Sequence, residues 1–174
     1  MLIRGATVPQ RLPKITTGQI LRATATGYDG VAMPYTVSRV KPDDQIVNNS
    51  DVLINDEDLV FSVLANEVWL FDAVFIVSSE TIDPKLDYLF DAPAGAAIGK
   101  MSNWSTTTTV VWVDGLVEAT IPTSADLKYA QFRCLYIGAG AAGNIQLKWA
   151  QHEAIAENSR MQANSFLLAT RLSP

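Results

Sequence analysis

One histidine, His152, and one cysteine, Cys134, are all that the 174-residue chain offers for imidazole or thiol chemistry. A multi-histidine or multi-cysteine metal site and an intrachain disulfide are therefore excluded. Any nucleophile–base arrangement would have to use His152. His152 follows the alternating run 144–151 and reads as an exposed polar loop residue. Cys134 sits on the apolar side of its own alternating run. Nothing beside it in sequence activates a thiolate, so it reads as a small core residue.

Gly138-Ala139-Gly140-Ala141-Ala142-Gly143 fits G-x-G-x-x-G and follows a strand-like run. A dinucleotide site needs a helix next, whose N-terminus receives the pyrophosphate. Period-two alternation follows instead, and only 31 residues remain after Gly143. The motif reads as a flexible glycine hairpin loop, and no cofactor is expected. Asn55-Asp56-Glu57-Asp58 lacks the alternating ligands, central glycine and distant glutamate of a calcium loop. It reads as a solvated turn between strands. Calcium held between subunits stays open, since Asp43, Asp44 and Asp51 lie near in sequence. Asn48-Asn49-Ser50 and Asn103-Trp104-Ser105 match the glycosylation pattern. The stretch after Arg4 carries Gly5, Pro9, Gln10 and Arg11 rather than an apolar run, so no signal peptide is expected.

The four tryptophans could stack on sugar rings. Trp69, Trp112 and Trp149 lie inside alternating runs and read as core. Trp104 stands beside the polar run 105–109 and is the one candidate ligand contact.

Charge divides the chain. Residues 1–41 carry six bases and one acid, a net +5, while the remainder is −10, for −5 overall. Periodicity is weak before residue 39, and residues 23–30 read as extended chain followed by a turn. We read residues 1–38 as an extended basic N-terminal arm. Its bases Arg4, Arg11, Lys14 and Arg22 would pair with carboxylates of a partner, and Ile3, Leu12, Ile15 and Ile20 would fill shallow apolar pockets on it. The bases are too sparse for a nucleic-acid patch, and Asp72 splits the longest apolar run, so no membrane span is expected.

Residues 39–174 read as strands. The predicted runs are 59–64, 67–78, 85–91, 97–104, 107–113, 116–121, 131–138, 144–151 and 165–172, with no sustained apolar helix face anywhere. Asp114-Gly115 signals a hairpin between two of them. About nine strands without a helix predict an all-β fold, an antiparallel β-sandwich of jelly-roll type. Residues 67–78 are unusual. Trp69, Phe71, Ala73, Phe75 and Val77 share one face, while Val68, Leu70, Val74 and Ile76 share the other. One face of a sandwich strand packs inward, so an apolar outer face needs a cover, and a second subunit is the simplest one. Val68, Leu70, Val74 and Ile76 are the expected oligomer interface.

Residues 143–151, Gly-Asn-Ile-Gln-Leu-Lys-Trp-Ala-Gln, then a polar insert and Ser165-Phe166-Leu167, resemble a domain recurrent in virion proteins of tailed phages and prophages. That domain carries Gly-Asn/Thr-aliphatic-x-aliphatic-x-Trp-Ala-Gln and ends on a strand with Gly-Ser-Tyr-aliphatic. Ala65-Asn66-Glu67-Val68-Trp69 and Phe90-Asp91-Ala92-Pro93-Ala94-Gly95-Ala96 are similar to two further segments of it. The resemblance covers residues 40–172; Ala163-Asn164 and Phe166 depart from it in packing detail. It implies a structural, non-enzymatic, trimeric sandwich on the surface of a phage particle. The role expected from this is capsid decoration or head fibre, with the arm on the major capsid protein. A tail-fibre component binding a host glycan or protein, and a carbohydrate-binding module, are the alternatives.

Overall fold

The computed structural model describes residues 19–24, 27–32, 35–81, 85–102, 110–113, 118–121 and 127–173. They contain fourteen strands and no helix. The chain divides into two compact units, residues 1–35 and 36–174.

In the first unit, β1 (Gln19–Thr24) pairs antiparallel with β2 (Gly27–Ala32), from Gln19 opposite Ala32 to Thr24 opposite Gly27. Asp29-Gly30, expected as a turn, lies within β2, opposite Arg22 and Leu21. Cross-strand pairing has overridden the turn preference of Gly and Asp.

The second unit is an antiparallel sandwich. Its strands are β3 (Thr36–Val40), β4 (Gln45–Asn48), β5 (Ile54–Val63), β6 (Val68–Ser79), β7 (Leu86–Asp91), β8 (Ala97–Ser102) and β9 (Val110–Val113). There follow β10 (Glu118–Ile121), β11 (Lys128–Ile137), β12 (Gly143–Gln151), β13 (Asn158–Met161) and β14 (Phe166–Ser173). The small sheet has the order β10-β7-β12-β5. The large one runs β3-β14-β6-β11-β8-β9, with β13 bridging β6 and β4. From β5 to β8, and again from β10 to β13, the chain alternates between sheets. Strands adjacent in sequence therefore face each other across the core, and those adjacent in a sheet come from distant sequence. That is jelly-roll topology.

Alternation explains the core. On β6, Phe71, Ala73, Phe75 and Val77 are fully buried, and so are Leu86 and Phe90 of β7 and Leu147 and Trp149 of β12. Aromatic rings join the layers: Phe71 meets Phe90 edge-on at 5.2 Å, and Tyr88 meets Phe132 at 4.7 Å. Contacts of this kind add to simple area burial. Cys134 is wholly buried in this core, as expected.

Four expectations need correction. The sandwich begins at Thr36 and not after residue 38: β3 pairs with β14, from Thr36 opposite Thr170 to Val40 opposite Phe166. Val37 alone of β3 turns into the core, and one apolar residue leaves no periodicity to read. Asn55–Asp58 is no turn but part of β5, with Asp56 wholly buried. β9 and β10 form no hairpin pair, since they lie at the edges of different sheets; residues 114–117 are outside the described set. The glycine loop 138–142 likewise crosses between sheets, from β11 to β12, and does not close a hairpin.

That crossing loop is packed, which sets it apart from a flexible one. Gly138 N–H donates to the Glu67 carbonyl at 2.8 Å, and Asn66 N–H donates to the Ala139 carbonyl at 2.8 Å. A Cβ on Gly138 would stand 2.7 Å from that Glu67 oxygen, whereas one on Gly140 would meet nothing within 4 Å.

Candidate functional site: the outer face of the large sheet

Val68, Leu70, Val74 and Ile76 alternate on β6 away from the core and are all half-buried within the single chain. Strand register sets more apolar side chains beside them. On β14, Phe166 stands opposite Val74 and Leu168 opposite Asp72. On β11, Tyr129 stands opposite Ile76, Leu135 opposite Leu70 and Ile137 opposite Val68. Val40 extends the row beyond Phe166 on β3. Leu168, Ile137 and Tyr129 are exposed at 43%, 42% and 60%. Four strands at ~4.8 Å spacing and about nine residues at ~3.4 Å rise make a face of roughly 500–600 Å². That is the area of the whole face, in which Gln131 and Thr170 stand among the apolar side chains, and it approaches the ~800 Å² that one partner gives to a standard interface.

One charged pair crosses this face. Arg133 Nε donates to Asp72 Oδ1 at 2.8 Å and Nη2 to Oδ2 at 2.9 Å. The Asp72 carboxylate raises the Arg133 pKa further above its ordinary value, which fixes the charge. Both charges are satisfied within one chain, so a partner need supply no counter-ion.

The sequence places the four β6 residues together on one face but gives no sign of their neighbours. Phe166, Leu168, Leu135 and Ile137 sit on strands whose inner faces are equally apolar. Only register shows which of them meet. Of the expected arm residues, Ile20 and Arg22 lie in β1; Ile3, Arg4, Arg11, Leu12, Lys14 and Ile15 are outside the described residues, as is Trp104. Trp69 and Trp149 are buried in the core, so they form no sugar platform. Trp112 pairs in register with Gly99. His152 is exposed at the end of β12, and its Nδ1 lies 3.0 Å from the Asp87 carboxylate.

Two bases assigned to the charged N-terminal segment belong to the sandwich. Arg39 Nε donates to the Val60 carbonyl at 3.0 Å. Lys41 is enclosed, with its Nζ 3.1 Å from Asp56 Oδ2 and 3.1 Å from Asp58 Oδ2. Without them, residues 1–35 carry a net +3. The Lys41 ammonium also supplies the positive charge among these carboxylates where calcium was considered. No group of three metal-ligating side chains occurs among the described residues.

A second enclosed carboxylate, Glu67, ties down the turn between β5 and β6. Its Oε2 accepts from Leu64 N–H at 2.8 Å and Trp69 Nε1 at 3.0 Å, and its Oε1 from Arg171 Nη1 at 2.8 Å. Burial alone would raise its pKa. The donors from Leu64, Arg171 and Trp69 outweigh burial and hold it below the ordinary value.

No protein-family model and no curated protein matches the sequence. Among solved structures, the chain is similar to an Eiger TNF from S. frugiperda, with a TM-score of 0.40 and 9% identity over 80% of this chain and 93% of that one. It is also similar to the infectious bursal disease virus VP2 subviral particle, with a TM-score of 0.25 and 8% identity over 87% of this chain and 43% of that one. The jelly-roll assignment rests on the strand order described above and not on these distant likenesses.

Proposed function

We propose that the protein is a structural component of a tailed-phage particle, a capsid decoration or head-fibre protein that forms a homotrimer through the outer face of the large sheet. In this reading it turns over no substrate. The observation that carries the self-association is β6, apolar on both faces where a sandwich needs only one apolar face. The second copy covers Val68, Leu70, Val74 and Ile76 together with Phe166, Leu168 and Leu135. The assignment to a phage particle, and the number three, draw on the sequence resemblance of residues 40–172.

Residues 1–35 attach the sandwich to the major capsid protein. With a net +3 and exposed ion pairs contributing about 0–1 kcal/mol each, apolar contacts by Ile3, Leu12, Ile15 and Ile20 supply most of the affinity, and three linked copies multiply it. Light scattering of the purified protein tests the assembly: a trimer is expected, and a monomer at micromolar concentration would overturn the reading. Deleting residues 1–35 tests the attachment. A folded, oligomeric sandwich that no longer copurifies with particles is expected; full occupancy by the truncated protein would refute the anchor. Copy number per particle separates head from tail, hundreds against a handful.

A further inference from the structure

Of the ion pairs among the described residues, Lys41–Asp56 is the one with both side chains closed off from solvent, at 2% and 0% exposed. A buried ion pair contributes little more to stability than well-packed apolar residues would, so its arrangement calls for another explanation. The Lys41 Nζ lies 3.2 Å from Oδ1 and 3.1 Å from Oδ2 of the same carboxyl group, bridging its two oxygens. The two oxygens differ. Oδ1 accepts two backbone N–H groups, Asp58 at 3.1 Å and Leu59 at 3.0 Å. Oδ2 is buried and makes no aligned hydrogen bond.

A third group completes the cluster. Asp58 Oδ2 lies 3.1 Å from Nζ, and its side chain is 32% exposed, so it touches both the amine and water. Gln45 Oε1 accepts a hydrogen bond from Nζ at 3.3 Å, and Gln45 Nε2 itself donates to the Asn55 carbonyl at 3.1 Å. The amine is therefore fixed in place, and the two N–H groups sit where an oxyanion would form. Positioning of this kind converts a contact into a reactive pair.

We propose that Lys41 and Asp56 condense into an intramolecular amide, an isopeptide bond that staples the two sheets together. One proton of the Lys41 ammonium passes to Asp56 Oδ2, 3.1 Å from Nζ, so that a neutral amine faces a neutral carboxyl group. The freed lone pair attacks Asp56 Cγ, and the carbonyl electrons move onto Oδ1, where the Asp58 and Leu59 N–H groups hold the charge. As the carbonyl re-forms, the Cγ–Oδ2 bond breaks. Asp58 takes the second proton from the attacking nitrogen and gives it up to the leaving oxygen, so Oδ2 departs as water carrying both protons that the ammonium loses. One C–N bond forms and one C–O bond breaks; no oxidant is needed. A chain with a single cysteine thereby gains a cross-link that reducing conditions leave intact.

Intact-mass measurement of the purified full-length protein tests this without any variant. The expected mass is that of the sequence less one water, and proteolysis should release a branched peptide joining Lys41 to Asp56. Lys41→Arg and Asp56→Ala should restore the full mass. Asp58→Asn should slow bond formation by roughly 100-fold or more. A wild-type protein at full mass would overturn the proposal. So would loss of water that persists in Lys41→Arg, since a cyclic imide at Asp29-Gly30 or Asp114-Gly115 would then account for it. An unchanged rate in Asp58→Asn would refute the proton relay.

Discussion

Asp72 and Arg133 lock together across β6 and β11 through two parallel hydrogen bonds of 2.8 and 2.9 Å, in the middle of an apolar face. Alone in solution this pair is exposed and contributes little. Covered by a second copy, it becomes a buried pair whose members depend on each other. Arg133→Leu should then weaken assembly, because it leaves the Asp72 carboxylate uncompensated, and Asp72→Leu with Arg133→Leu together should restore it. Sedimentation of the three proteins checks this. Equal assembly of single and double variants would mean that the face is not covered.

Leu70→Glu and Val74→Glu each place one unpaired charge in the centre of that face. Association should weaken by several kcal/mol, while the melting temperature of the dissociated sandwich changes little, since both positions point away from the core. Light scattering combined with thermal unfolding separates the two effects. A variant that both assembles and melts like the parent would remove β6 from the interface.

Glu67 makes stability depend on pH. Its folded pKa lies below the ordinary value of 4.5, so the folded state is favoured above the unfolded pKa, and that contribution is lost as pH falls through the folded pKa. Thermal melts from pH 6 down to about pH 3 should show Glu67→Gln losing less stability on acidification than the parent. Glu67→Ala should cost roughly 2–4 kcal/mol at neutral pH, because it strands the Trp69 and Leu64 donors and the Arg171 charge. Parallel acid curves for parent and Glu67→Gln would contradict this.

The glycines of the 138–143 loop should differ sharply. Gly138→Ala pushes a methyl group against the Glu67 carbonyl and should destabilise by roughly 1–3 kcal/mol. Gly140→Ala faces open space and should be nearly neutral. A dinucleotide-binding loop would show sensitivity at both positions together with saturable NAD binding, and calorimetry can look for that directly.

Much of the sandwich was legible because its inner faces alternate over long runs: β6, β11 and β12 each bury every second residue. What escaped notice were strands defined by their partners and not by their own pattern. β4 (QIVN) and β13 (NSRM) are short and largely polar, and they form because Asn158–Met161 lies between Gln45–Asn48 and the far end of β6. Asn55–Asp58 looked like a turn because four polar residues in a row carry no hydrophobic period. Asp56 is buried there because Lys41, fifteen positions earlier in the chain, comes back to meet it. The β6 half of the outer face could be read from one segment, but its full extent depends on register between strands far apart in sequence.

The place where the sandwich begins has a mechanical consequence. If residues 1–35 hold the protein to a particle, any pull enters at Thr36, the first residue of an edge strand. Force directed along β3 must shear all five of its residues from β14 together, whereas force across the sheet opens them one rung at a time, starting from Thr36 opposite Thr170. Either way the opening passes Arg39, held by the Val60 carbonyl, and then reaches Lys41, the first residue of the sandwich ion-paired to the other sheet. Lys41 thus acts as a ratchet stop: it limits how far the edge can fray before the whole domain must yield.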